Sequence, residues 1–86
     1  MSFRLLVSPQ AEKDLKKLER SILIRIDRAL LLLAKNPYSQ GFEHIKDKRL
    51  AQFRVRIGDY RILYDVYIKS RMVYILRIGH RREIYK

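Results

Sequence analysis

Apolar positions along this chain change their period twice. "SFRLLV" at 2–7 is a short apolar run that ends at a break, which predicts a strand. From Ser8 the spacing lengthens to that of a helix, with Ala11, Leu15 and Leu18 recurring on one side. Ser8 is placed to cap this helix, Pro9 suits its first position, and Glu12 and Asp14 lie near its positive end. A second helix is predicted from about Glu19 to Lys35, with Ile22, Ile26, Leu30 and Leu33 along one stripe and Asn36-Pro37 as its stop. The short link between the two predicts an antiparallel helical hairpin. Leu23, Leu31 and Leu32 fall partly off the stripe, so this helix carries more apolar surface than one contact needs. Either they pack against the first helix or they mark where a partner docks.

After a loop predicted over 38–51, the period shortens to two. Strands are expected at roughly 52–57, 60–68 and 71–78, with Gly58-Asp59 as a two-residue hairpin turn, "IKSR" as the next turn and "GHRREIYK" as a polar, basic tail. If Gly58 and Asp59 form the whole loop, Ile57 pairs with Tyr60, Arg56 with Arg61, Val55 with Ile62 and Arg54 with Leu63. Alternation then sends Phe53, Val55, Ile57, Tyr60, Ile62, Tyr64 and Val66 to one face, and Arg54, Arg56 and Arg61 to the other. The predicted fold is α+β: an N-terminal strand, then a two-helix hairpin packed on one face of a mainly antiparallel four-stranded sheet, then a short basic tail. At 86 residues the chain has room for a single domain, 1–86, and shows no repeat or linker.

Charge changes this picture most. Twenty Lys and Arg face 9 Asp and Glu, a net charge of +11, and most of the excess lies after residue 43, where Arg outnumbers Lys. A field of that sign and size favours a polyanionic partner, and arginine suits forked contact with phosphate. The absence of cysteine excludes disulfides and thiolate metal sites. No apolar run approaches the roughly 20 residues of a spanning helix, and the N-terminal stretch lacks the apolar segment of a signal peptide. A cytosolic protein is expected, with no membrane partner.

The three arginines of one sheet face are the candidate chemistry. Arg56 and Arg61 would be cross-strand neighbours, and like charges set opposite one another are unfavourable. Two explanations stand: the side chains splay into solvent or are neutralised by Asp65 or Glu83, or they form an anion site that either binds or cleaves RNA. The tail adds His80, Arg81, Arg82 and Tyr85 to that site, and the loop adds Lys46, Lys48 and Arg49. His44 and His80 do not form a familiar acid–base pair. So few carboxylates fall on this face that neither a divalent metal nor another cofactor is expected.

"FRVRIGDYRILYDV" followed by "VYILRIGHRREIY" resembles the RelE/ParE toxin superfamily of bacterial and archaeal toxin–antitoxin systems. The order of elements is similar over nearly the whole chain, and the likeness is most specific in 53–64 and 78–85. The RelE branch implies a ribosome-dependent endoribonuclease. It would cleave messenger RNA in the ribosomal A site through the RNA's own 2′-hydroxyl, without metal, leaving a cyclic phosphate. By position, the resemblance puts the catalytic basic pair at Arg54 and Arg56, further arginines at Arg61 and Arg81, and a tail tyrosine at Tyr85. Arg61 and Arg81 would hold the scissile phosphate and Arg81 would help the leaving oxygen, while Tyr85 would either stack on a base or serve as an aromatic lid on the core. Lys46, Lys48, Arg49, His80 and Arg82 would contact RNA around them.

One departure bears on mechanism. The best-known RelE pattern has lysines on the second strand, whereas arginines stand here, and arginine keeps its proton at any ordinary pH. Proton removal by Arg56 is therefore not expected, and His80 is the titratable alternative. The same departure leaves open the ParE branch, whose members inhibit DNA gyrase, and a relative that binds only RNA or antitoxin. The implied partners are the ribosome, messenger RNA and a cognate antitoxin in a hetero-oligomer. The +11 charge and the surplus leucines predict an acidic, amphipathic toxin-binding segment in that antitoxin.

Overall fold

The computed structural model describes residues 2–38 and 41–85. Seven elements follow in chain order: β1 (Arg4–Val7), α1 (Pro9–Lys16), α2 (Arg20–Lys35), β2 (Glu43–His44), β3 (Phe53–Ile57), β4 (Tyr60–Tyr67) and β5 (Met72–His80). They form one five-stranded sheet in the order β1-β5-β4-β3-β2. The pairing is antiparallel except between β1 and β5, which run parallel. Among the described residues no helix is long and apolar enough to cross a membrane.

The sheet has one strand more than its sequence suggested. The loop expected over 38–51, of which residues 39 and 40 lie outside the described residues, contains β2, whose Glu43 pairs with Arg54 and His44 with Phe53. Two residues are too short a run for alternation to be visible in sequence. The rest of the strand pattern follows the side-chain period. Gly58 turns β3 into β4 with φ +60, a conformation that suits glycine, and the register is Ile57↔Tyr60, Arg56↔Arg61, Val55↔Ile62 and Arg54↔Leu63. β5 runs to His80, two residues beyond the expected end, and a bulge opposite Leu63/Tyr64 shifts its register.

Both helices cover one face of this sheet, α1 against β5 and α2 across β1 and β3. Ser8 caps α1 as expected: its Oγ accepts from Ala11 N at 3.0 Å and donates to the Leu76 carbonyl at 3.0 Å. Ala11, Ile26, Leu30 and Leu33 meet Val55, Ile62, Tyr64, Val73, Ile75 and Ile78 in the main core. Each buried aliphatic side chain of this kind stabilises the fold by about 1.5–3 kcal/mol. Tyr64 is fully buried and donates its hydroxyl to the Pro37 carbonyl at 2.7 Å, which ties the end of α2 to the sheet. Burial, reinforced by Tyr38, pushes this phenol's pKa far above its ordinary value.

β1 covers only the first half of β5's outer edge, through Ile75. Beyond it, α1 supplies the missing partners. The Asp14 carboxylate, 6% exposed, accepts from Ile78 N and from Arg77 Nε through the same oxygen, both at 2.9 Å. A smaller cluster occupies the opposite face of the sheet: Ile45, Ala51, Leu63 and Ile84, with Leu76 against them. The tail is thereby folded back onto the sheet. Ile84 N and Glu83 N both donate to the His80 carbonyl, and Ile84 plugs the second cluster.

Leu31 and Leu32 do not pack against α1. They stay 65% and 46% exposed, and with Arg28 and Lys35 they line a shallow groove of about 330 Å³ on the outer side of α2.

Candidate nucleic-acid interface

The pleat of β3 and β4 decides where the arginines go. Val55 and Ile62 face the helices, so Arg54, Arg56 and Arg61 face away from them. Register lines up two rows on this outer face. Arg56, Arg61 and Gly79 form one across β3, β4 and β5, and Glu43, Arg54 and Leu63 form the next across β2, β3 and β4. The tail lies against this row at its glycine: a Cβ at Gly79 would meet Ile84 Cβ at 3.8 Å, an ordinary contact.

Glu43 is the residue that sequence reasoning missed. Its Oε1 accepts a hydrogen bond from Arg54 Nε at 3.2 Å and forms an ion pair with Arg56, whose Nε lies 2.9 Å away, so one carboxylate oxygen serves two guanidinium groups. Neither proposed neutraliser does this: Asp65 accepts from Gln52 N at 2.7 Å, and Glu83 lies with His80 at a different cleft. The only sequence signal for Glu43 was the brief alternation of Phe42, Glu43, His44 and Ile45. Phe42 and His44 stack edge-on against Phe53, while Ile45 enters the second cluster.

Arg54 also donates Nη1 to the Tyr85 hydroxyl at 2.8 Å. That hydrogen bond, with Glu43 behind it, pushes the Arg54 pKa above the ordinary arginine value despite partial burial. Tyr85 itself is 41% exposed and so is no lid on the core; its ring stands at the rim of the arginine face.

Arg61 behaves differently from its neighbours. It is 8% exposed, and Nη1 donates to the carbonyls of Gly58 and Tyr60 at 3.0 and 2.9 Å, clasping the β3–β4 turn. Arg81 meets the same turn from the tail: its N–H donates to the Asp59 carbonyl at 2.8 Å, and Nε stands 3.9 Å from Asp59 Oδ1. A third arginine arrives from α2, since a Cβ at Gly58 would lie 2.9 Å from Arg25 Nη2. The Gly58-Asp59 turn is thus ringed by three arginines and one carboxylate.

The remaining predicted contacts are spread more widely. Lys46, Lys48 and Arg49 are exposed in the turn that follows β2. Arg49 forks onto Asp47 at 3.0 Å through both Nε and Nη2, which holds the Asp47 carboxyl below its ordinary range. His80 is not with the arginines: it pairs with Tyr60, one position out of the Arg61 row, and its ring lies 5.4 Å from the Tyr60 ring. Its Nδ1 accepts from Arg82 N at 3.1 Å. Together with Asp14, Lys17, Arg77 and Glu83 it lines a polar cleft of about 310 Å³ between α1 and the tail.

This sheet and its arginines have known relatives. The family described as "ParE toxin of type II toxin-antitoxin system, parDE" matches residues 5–85. The chain belongs to the RelE/ParE superfamily of type II toxin–antitoxin toxins. It is 31% identical over 87 residues to Toxin RelG of Mycobacterium tuberculosis, an alignment that spans 100% of this chain and 99% of that one. It is 33% identical over 88 residues to Putative toxin RelE1 of Methanocaldococcus jannaschii, spanning 100% and 98%. Its fold is similar to that in the toxin–antitoxin complex RelBE2 of Mycobacterium tuberculosis, with a TM-score of 0.83 and 27% identity over 94% of this chain and 100% of that one. The family expected from the strand and tail sequences is therefore the family found. Its RelE-like fold adds to the expected one an extra edge strand and a parallel β1–β5 pair.

Proposed function

We propose that this toxin is a cytoplasmic, ribosome-dependent endoribonuclease and that the outer sheet face holds the scissile phosphodiester of messenger RNA. The observation that carries the reading is the sharing of one face by Arg54, Arg56, Arg61 and Tyr85, with Arg81 at the turn where that face ends. In such a reaction the 2′-oxygen attacks phosphorus, the 5′-oxygen leaves, and negative charge grows on the non-bridging oxygens. Fixed guanidinium groups favour that charge most in the transition state, because they are already oriented when it appears. Arg61 is the most firmly oriented of them, and Arg81, bound only loosely to Asp59, is free to follow the leaving oxygen. The Tyr85 ring offers a stacking surface that fixes the nucleotide. Arg54 and Arg56 keep their protons, and His80 belongs to the other face, so the reading rests on positioning and charge. Lys46, Lys48, Arg49 and Arg82 extend the basic surface for RNA on either side.

The partner side of the reading is a cognate antitoxin in a hetero-oligomer. The structure of RelBE2 is that of a toxin–antitoxin complex, and the Leu31–Leu32 groove here is flanked by Arg28 and Lys35. An acidic amphipathic segment complements that groove in both charge and polarity.

Primer extension on messenger RNA, with and without translating ribosomes, tests the activity. Codon-phased cuts that need ribosomes and vanish in Arg81→Ala support it. Intact RNA alongside blocked supercoiling by DNA gyrase would move the toxin to the ParE activity instead, and RNA binding without either activity would make it a binding module.

A further inference from the structure

We propose that Glu43 is an internal occupant of the anion site, a carboxylate that the RNA phosphodiester must displace before it can bind. The inference rests on the reading of the arginine face as an RNA site and adds how that site is controlled. Arg54 donates Nε to one Glu43 oxygen at 3.2 Å, and the Arg56 guanidinium pairs with the same oxygen, its Nε 2.9 Å away. A carboxylate oxygen and a non-bridging phosphodiester oxygen are both anionic acceptors for guanidinium groups, so the same two arginines can serve either. Glu43 thus stands in for the substrate's charge while the site is empty of RNA.

Its position makes it displaceable. β2 is a two-residue strand at the edge of the sheet, and the Glu43 side chain is 39% exposed, so it can swing outward without disturbing either core cluster. Ion pairs at this level of exposure contribute little to folding, which leaves the arginines available for exchange. An internal competitor lowers the apparent affinity for every free ligand by the fraction of time it holds the site. RNA already held beside the site by a larger assembly has an effective concentration far above that of RNA in solution. Glu43 therefore favours presented RNA over free RNA, a preference that suits an enzyme working on a ribosome.

The test is binding of a short single-stranded RNA carrying 2′-O-methyl groups, which removes the nucleophile and leaves the phosphates. Fluorescence anisotropy on the full chain gives the affinity of the parent protein, of Glu43→Gln and of Glu43→Gln combined with Arg56→Gln. Removal of one charge at this distance predicts about tenfold tighter binding by Glu43→Gln at low salt. Its salt dependence should steepen by about 0.7 for each phosphate contact that Glu43 no longer contests. The added Arg56→Gln should cancel the gain. Equal or weaker binding by Glu43→Gln, in protein that melts within a few degrees of the parent, overturns the proposal. If Glu43→Gln does not fold, Glu43→Thr, a residue suited to a strand, is read by the same two outcomes. Primer extension with the parent protein keeps the two ideas apart: ribosomal cuts with unchanged Glu43→Gln binding sink the inference alone. Tighter binding without cuts in the parent sinks the endoribonuclease reading and leaves the displaceable anion standing.

Discussion

Arg56 and Arg61 stand directly opposite each other on β3 and β4, yet their guanidinium groups have different partners. Arg56 Nε goes to the Glu43 carboxylate at 2.9 Å, while Arg61 Nη1 goes to the carbonyls of Gly58 and Tyr60. The repulsion expected of two neighbouring cations is relieved twice over, by a counter-charge on one and by carbonyl dipoles on the other. The two arginines consequently have different structural duties on the same functional face.

Their duties predict different stabilities. Arg61→Leu removes two charge-assisted hydrogen bonds from the β3–β4 turn and should cost about 2–3 kcal/mol. In a domain of this size that is a fall in melting temperature of roughly 4–8 °C per kcal/mol. Arg56→Leu removes an exposed ion pair and a like-charge neighbour together, so it should stay within about 0.5 kcal/mol of the parent. Thermal denaturation at neutral pH measures both. Equal losses would show that Arg56 supports the turn as much as Arg61 does.

What sequence could reveal here was whatever depends on period and on local turn chemistry. The Ser8 cap, the Asn36 stop and the Arg56↔Arg61 register all follow from interactions within a few residues of chain or across one tight turn. The face carrying Arg54, Arg56 and Arg61 was legible for the same reason. Glu43 was not, because its contact with Arg54 spans 11 positions and depends on a strand too short to show a period. The anchoring of the tail by Ile84 was hidden too, since a single apolar residue among charges carries no periodic signal. The separation of His80 from the arginines follows from its pairing with Tyr60, which required β5 to continue past its expected end.

Asp14 should make stability depend on acid. Burial alone would raise its pKa, but hydrogen bonds from Arg77, Ile78 N and Gln10 overcome that and hold it below the ordinary value. A depressed folded-state pKa contributes stability above the unfolded value and loses it as pH falls through the folded one, so the loss belongs below about pH 4. Asp14→Asn should cost about 1–3 kcal/mol at neutral pH by weakening the cap on the β5 edge. It should also flatten the acid limb of the stability curve. Urea denaturation between neutral pH and about pH 3 follows both effects, and an unchanged acid limb in the variant would remove Asp14 from the account.

Ile84 ties the functional tail to the fold. It is 3% exposed among Ile45, Ala51, Leu63 and Leu76, so Ile84→Ala leaves a hole in a cluster that is already small. The expected cost is about 2–5 kcal/mol, with Arg81 and Tyr85 losing their fixed positions. Hydrogen exchange should show faster exchange at Glu83 and Ile84, whose N–H groups bond to the His80 carbonyl. Protection retained at those two positions would show that the turn holds without its plug.

Tyr85 separates stacking from hydrogen bonding. Its hydroxyl accepts from Arg54 at 2.8 Å, and the residue is partly exposed on the outer face. If the ring stacks on a base, Tyr85→Phe keeps that surface and loses one exposed hydrogen bond, for a change of a few-fold in RNA affinity at most. Tyr85→Ala loses the stacking, worth about 1–3 kcal/mol per base, and should weaken binding by roughly tenfold or more. The two variants should melt within about 1 kcal/mol of one another, because the ring lies outside both core clusters. Binding of a short uncleavable RNA, measured beside thermal melting, decides the matter. Equal weakening by both substitutions would assign Tyr85 to the orientation of Arg54 through its hydroxyl and take the base-stacking role away from its ring.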